Sequence, residues 1–267
     1  VTQPARIAVP SDVTKIGIIN RSMPSEKNKK LDKLDKILSL EGLNLDKEGA
    51  EFAMNGLLDE LNRDDRYEII KLIDDIEEQR KGLGVFPAVL PSNLVEQICE
   101  DNDVDILFSL EFFDTDTAVD YQLGTVNIPN NLGINVGIPG HKVTLNTAIK
   151  NGWRVYDPYT NSILDEFVYT DYLTSVGEGI NPVKAFEAIA GRKEGVLQIS
   201  NNEGVDYGQR TRPIRVRVSR DYFVRGTNNF KIAMRRARTG NWDGAGDLWA
   251  MELKNPKLKV AGRAYYN

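Results

Sequence analysis

The chain has 267 residues, of which 41% are hydrophobic and 27% charged, with a formal net charge of −5. That composition is globular with room for about two domains, and its negative balance speaks against nonspecific nucleic-acid binding, which needs a positive field. A single cysteine, Cys99, and a single histidine, His141, exclude an intrachain disulfide, a thiolate metal site and most zinc or histidine-activated nucleophile chemistry.

Val1 to Ser11 holds Pro4 and Pro10 and reads as an extended leader; any signal peptide or lipid-bearing cysteine is expected upstream of Val1. Lys15–Asn20 (KIGIIN) is a short apolar run that predicts a buried first strand. Arg21–Lys30 is polar and predicts a loop. Leu31, Leu34 and Leu38 lie on one helical face, and a longer helical pattern starts at Asp46 and runs through Ala50, Ala53, Leu57, Leu58 and Leu61. Tyr67–Ile73 (YEIIKLI) predicts a second strand. Asn93 and Glu96 have the spacing of a capping box, and Leu94, Val95, Ile98 and Cys99 form an apolar stripe, so a helix is expected there with Cys99 as a small core residue. Val104–Phe113 predicts a third strand.

Gly124 to Gly140 contains four glycines and two prolines and predicts an irregular loop. Lys142–Tyr172 carries the clearest β signal. Val143, Leu145, Ile149, Trp153 and Val155 share one parity and project to one side of a strand, whereas Lys142, Thr144, Asn146, Lys150 and Arg154 take the other and are expected to face outward. Asp157-Pro158-Tyr159-Thr160-Asn161 supplies the turn, and Ile163, Phe167 and Tyr169 alternate on the return. Asn151-Gly152 reads as a bulge within one long strand or as a type I′ turn; the bulge is favoured because Asp157-Pro158 is already a good turn. A polar loop is expected after Tyr172. Pro182 then begins a long helix carrying Ala185, Phe186, Ile189, Val196, Leu197 and Ile199, weakened by Gly191, Gly195 and Gly204. Ile214, Val216 and Val218 alternate with Arg215, Arg217 and Ser219 as a last strand. Past Gly226 the chain changes to helices rich in small and aromatic residues, which sets a domain boundary at Gly226-Thr227.

Candidate chemistry is sparse. Asp114–Asp120 has the spacing of a calcium loop but lacks the glycine at position six and the glutamate at twelve, so it reads as a solvated polar loop. Gly133, Gly137 and Gly140 do not have phosphate-loop spacing and read as a flexible connection, with a partner-binding loop as the alternative. Asp165-Glu166 and Asp74-Asp75 are adjacent carboxylates that a strand would point to opposite faces, which makes them poor acid/base partners. Arg210, Arg212, Arg215, Arg217, Arg220 and Arg225 form the main basic concentration, with Arg215 and Arg217 on one strand face suited to phosphate or carboxylate; edge protection and pairing with acidic helices are the structural alternative. Trp242 and Trp249 read as helical core. No catalytic, cofactor or metal set is assigned. The candidate partner-binding residues are Arg215, Arg217, Lys231, Arg235 and Arg238.

The order strand, helix, strand (RYEIIKLI), helix, strand (DILFSLEFF), long hairpin resembles the amino-terminal domain of TolB and the periplasmic domains of the lipoproteins CsgG and LpoB. KIGIINRS, LDKLDKILSLEG, WRVYDP, ILDE, VSRDYF and AGRAYYN resemble phrases of an uncharacterised family of Bacteroidota envelope lipoproteins. Gly240-Asn241-Trp242-Asp243-Gly244-Ala245, with Trp249 and Pro256, resembles a tetratricopeptide repeat. These resemblances imply an α/β domain, residues 1–226, with a mixed sheet covered by helices, followed by a tetratricopeptide-like segment, residues 227–267. They imply export to the periplasmic or surface side of the outer membrane, with a lipid anchor upstream as the only membrane attachment. The implied role is a non-enzymatic scaffold or assembly factor with protein partners. An oligomeric secretion or pore subunit similar to CsgG is the alternative, and a carboxylate-dependent hydrolase a more distant one.

Overall fold

The computed structural model describes residues 2–23, 33–73, 80–81, 85–129, 135–217, 219 and 221–267, and side chains outside 23–43, 80–81, 128–129 and 135–136. In chain order the strands are β1 (Thr2–Gln3), β2 (Lys15–Asn20), β3 (Ser22–Met23), β4 (Ile69–Ile73), β5 (Arg80–Lys81), β6 (Ile106–Pro129), β7 (Asn135–Asp157), β8 (Ser162–Gly179) and β9 (Ile214–Arg215). The helices are α1 (Lys33–Leu61), α2 (Ser92–Asn102), α3 (Pro182–Glu187), α4 (Arg192–Gln209), α5 (Asn228–Arg238), α6 (Trp242–Ala250) and α7 (Leu258–Tyr266). The chain divides into two compact units, Pro4–Ile214 and a helical unit of Arg215–Asn267 with Val1–Gln3.

The first unit is built on a mixed sheet of order β4-β2-β6-β7-β8. β4, β2 and β6 run parallel, joined through α1 and α2; β6, β7 and β8 form an antiparallel meander. One face carries α1 and α4 over Ile16, Ile18, Ile106, Phe108, Ile149, Trp153 and Val155, and Trp153 stacks on Tyr207 at 5.0 Å between ring centroids. The opposite face carries α2, whose Val95, Ile98 and Cys99 pack on Ile19, Leu107 and Tyr156. Two-sided coverage explains why β2 reads as a continuous apolar run. Cys99 is a buried core thiol, pushed up to about 12 by burial.

The hairpin of β7 and β8 lies where the alternation put it, with the Asp157 carboxylate accepting from Tyr159 N at 2.9 Å and Thr160 Oγ1 at 2.7 Å in the turn. Other expectations are corrected. Where loops are expected at Asp114–Asp120 and Gly124–Gly140, residues 114–129 and 135–140 are strand: β6 continues through Pro129 and β7 begins at Asn135, with Asp114 opposite Lys150 and Gly124 opposite Gly140, while residues 130–134 lie outside the described residues. Gly133 lies outside the described residues. Pairing with a strongly patterned neighbour outweighs weak intrinsic β propensity. The polar loop after Tyr172 is also strand, to Gly179.

The helical patterns through Leu34 and Leu38 and from Asp46 to Leu61 join in α1, Leu31 lying outside the described residues, whereas the long helix expected from Pro182 splits at Gly191, whose φ of 73° is left-handed. Gly204, expected to weaken α4, is what lets that helix approach α1: a Cβ there would run into the Ala53 carbonyl oxygen. No side-chain cap begins α2; its N-cap is Pro91. The last strand shrinks to Ile214–Arg215, with both residues exposed.

In the helical unit Phe230, Ala233, Ala237, Ala245, Trp249 and Ala264 make a core of their own. Tyr222 packs on Trp249 and Trp242, and Phe223 on Tyr266, so this unit takes in residues before the boundary expected at Gly226-Thr227.

Candidate functional site

Three features of the first unit carry its unusual chemistry: a charged centre at a β-bulge, a carboxyl cluster under α4, and a long β-platform.

β6 and β7 pair without interruption except between Leu110 and Phe112, which face Trp153 and Gly152. Glu111 is the extra residue. The strand around Asn151-Gly152 is therefore continuous, as favoured from the sequence, but the bulge lies on its neighbour. The insertion reverses the parity of β6, so Leu110 and Phe113 both reach the α1/α4 core while Phe112 turns to the other face, edge-on to Phe86. Glu111 itself, 1% exposed, binds the Arg21 guanidinium through Oε2 and accepts from Tyr156 Oη through Oε1 at 2.7 Å. Arg154 lies 3.6 Å from the same carboxylate, donates to Glu166 at 2.7 Å and the Pro87 carbonyl at 2.8 Å, and stacks 4.5 Å from the Phe86 ring centroid. Arg154 thus has the outward parity expected, yet it is 5% exposed, because residues 86–90 cover that face. Burial pushes the Glu111 carboxyl up, against the pull of Arg21, Tyr156 and Arg154; burial and then the Glu111 charge push Tyr156 up to about 12. A desolvated ion pair of this kind fixes geometry more than it adds stability.

The second centre joins α4 to the sheet. Glu203, 2% exposed, accepts from Asn151 Nδ2 through Oε2, and Asn151 Oδ1 in turn accepts from Trp153 Nε1 at 2.7 Å. Burial, followed by the Asp171 carboxylate and Asp206, pushes Glu203 up to about 8, with the Asn151 hydrogen bond opposing. Burial beside these carboxylates thus favours the protonated form of Glu203. Neither centre was found from the sequence, since Glu111 is a lone charge in the apolar run of β6, Glu203 one of several carboxyls on a polar helix, and nothing local shows the segments that meet them.

Asp165 and Glu166 point to opposite faces, as expected: Asp165 takes Arg210 at 2.8 Å and Glu166 takes Arg154. Asp74 and Asp75 lie outside the described residues. Within the basic concentration, Arg212 is engaged by Glu60 of α1, the pairing with an acidic helix expected as the structural alternative, whereas Arg210 is engaged by Asp165 of strand β8. Arg215 and Arg217 are exposed ahead of the helices. Lys231, Arg235 and Arg238 are exposed on one face of α5. Among the described residues no three His, Cys, Asp or Glu side chains converge to hold a metal ion, and no helix is long and apolar enough to cross a membrane.

The third feature is the platform. β2 pairs with β6 only as far as Leu110, and β8 is the last strand of the sheet, so among the described residues no strand covers the outer edges of β6 beyond the bulge or of β8. Asp46 caps the backbone N–H of Thr115 at 2.7 Å, which shows that odd-numbered residues there present their peptide groups outward. Thr117, Val119, Tyr121 and Leu123 continue that edge. Val119, Tyr121 and Leu123 are 50%, 45% and 74% exposed, and Tyr172 and Val176 of β8 are 72% and 46% exposed.

Among solved structures, a PelC dodecamer from Paraburkholderia phytofirmans is similar at 8% identity and a TM-score of 0.32, covering 79% of this chain and 97% of that chain. A putative neuraminyllactose-binding hemagglutinin homologue from Helicobacter pylori is similar at 11% identity and a TM-score of 0.33, covering 74% and 81%. Similarity at these TM-scores carries no argument about assembly or ligand. No curated protein matches the sequence. The model of DUF8603, a domain of unknown function, matches residues 13–223, most of the chain and nearly all of its α/β unit; the protein belongs to the DUF8603 family.

Proposed function

We propose that this protein is a non-enzymatic assembly factor of the cell envelope that engages protein partners by strand addition. The observation that carries the reading is the open outer edge of β6 from Thr117 to Pro129, with apolar side chains at Val119, Tyr121 and Leu123 beside it. An exposed strand edge of this length is a template for another strand: backbone hydrogen bonds supply affinity and alternate side chains supply selectivity. Soluble proteins normally blunt such edges with lysine, proline or short strands. This stretch has Asp120 but no lysine and no proline before Pro129. The resemblance of the first unit to the TolB, CsgG and LpoB domains supports the envelope location and an upstream lipid anchor. The resemblance of the helical unit to a tetratricopeptide repeat supports a role in protein binding.

The experiment is site-specific photocrosslinking in intact cells from positions 119 and 121, with mass spectrometry of the adducts. Discrete partner adducts are expected, and Val119→Pro, which removes an outward N–H, should abolish them without lowering the melting temperature. Crosslinks no more abundant than from an exposed control position, or adducts that survive the proline, would overturn the reading.

A second reading is favoured by one further observation. The outer edge of β8 is open as well, so copies could join β8 to β6 in a head-to-tail manner as in an oligomeric secretion subunit. Adducts consisting of the chain itself would select it.

A further inference from the structure

The charge of this chain is divided between its two units. Residues 215–267 hold 12 of the 34 Lys and Arg but only four of the 39 Asp and Glu, a formal net charge of +8, which leaves −13 on residues 1–214. The helical unit does not neutralise its own charge. Among the described residues no ion pair engages any of its basic side chains. Its Glu252 is buried and committed to Thr227, Asn229 and Asn255.

On α5 the exposed basic side chains fall in a row. Lys231, Arg235 and Arg238 stand at i, i+4 and i+7, opposite the buried Phe230, Ala233 and Ala237. The row is ~10 Å long at 1.5 Å per residue. The first unit contains its counterpart. On α2 the exposed Glu96 and Glu100 stand at i and i+4, and Asp103 follows at the left-handed C-cap just past the helix; the three line a recess of about 370 Å³ whose other wall includes Asp105, Pro158 and Tyr159. Lys15 holds Asp103 at 2.7 Å, and Glu96 and Glu100 have no described partner. When the helices run in the same direction, Lys231 and Arg235 meet Glu96 and Glu100 at the same i, i+4 spacing, and Arg238 comes to the end of α2 where Asp103 stands.

We propose that α5 of one copy docks on α2 of a second copy, with Lys231, Arg235 and Arg238 facing Glu96, Glu100 and Asp103. The contact is head-to-tail, because each copy gives its basic row to one neighbour and its acidic row to another, so it propagates or closes into a ring. It uses neither strand edge and does not depend on the strand-addition reading.

Sedimentation velocity on the full chain tests it. The wild type should gain mass with concentration up to ~100 µM, with a dissociation constant at least ~10-fold weaker at ~0.5 M than at ~0.05 M salt. The variant Lys231→Glu/Arg235→Glu/Arg238→Glu and the variant Glu96→Lys/Glu100→Lys should each sediment as monomers while keeping the wild-type circular dichroism. Mixed in equal amounts they should associate again, since each then offers the row that the other lacks; contact within one chain would not be restored by mixing. A wild type that stays monomeric at low salt, charge reversal without effect, or a mixture that stays monomeric would overturn the proposal. Sedimentation of a monomeric wild type with phosphatidylglycerol vesicles, lost on reversal of the α5 row, would overturn it in favour of an anionic lipid surface.

Discussion

Replacing Glu203 with Gln tests the carboxyl cluster most directly. The folded carboxyl holds its proton to about pH 8, against 4.5 for an ordinary glutamate, because it is buried and faces the Asp171 carboxylate and Asp206. Unfolding releases that proton anywhere between these two values. The contribution of this group to stability is therefore fully present below pH 4.5 and is lost as pH rises toward 8, at ~1.4 kcal/mol per pH unit. Over the whole window the loss is ~5 kcal/mol, and with the side chain 2% exposed, solvent screening takes little from it. Gln keeps an oxygen for the Asn151 amide and never brings a charge into this buried site beside Asp171. Urea unfolding followed by circular dichroism and Trp fluorescence at pH 4.5, 6 and 7.5 should show the wild type weakening with pH relative to the variant. The two should be nearly equal at pH 4.5, with Gln more stable by ~4 kcal/mol at pH 7.5. Parallel pH profiles, or a Gln variant less stable at pH 7.5, would refute this account of the Glu203 carboxyl.

The bulge makes a prediction of opposite sign. Glu111→Gln leaves Arg21 and Arg154 buried around a neutral amide and should cost ~3–5 kcal/mol, read as a lower urea midpoint. Gly152→Ala sets a methyl group against the Phe112 ring, which must move within a filled layer; a loss of ~1–3 kcal/mol is expected in the same assay. In the helical unit Trp249→Ala should cost ~3–5 kcal/mol in the thermal transition of that unit, since Trp249 is 4% exposed, whereas Trp242→Ala, at a site 53% exposed, should cost no more than ~1 kcal/mol.

What the sequence determined by itself was local. The parity of Val143 to Val155 settles the covered face of β7 because a strand has period two and one face is dry; the Asp157-Pro158 turn and the apolar stripe of α2 are legible for similar reasons. What only the tertiary structure decided depends on partners distant along the chain. Asp114–Asp120 and Gly124–Gly140 look like loop because acidic residues, glycine and proline mark them as turn or loop, yet residues 114–129 and 135–140 are strand because β6 and β7 offer each other a complete ladder. Glu111 becomes the extra residue of a bulge only in relation to Trp153 and Gly152, and Arg154 is buried only because residues 86–90 cross its face. The row on α5 could be named from the sequence, but its acidic counterpart on α2 acquires meaning only once both faces are known to be exposed. Periodicity reports which side of an element is dry; bulges, buried charges and shifted pKa values are set by what other segments bring to that side.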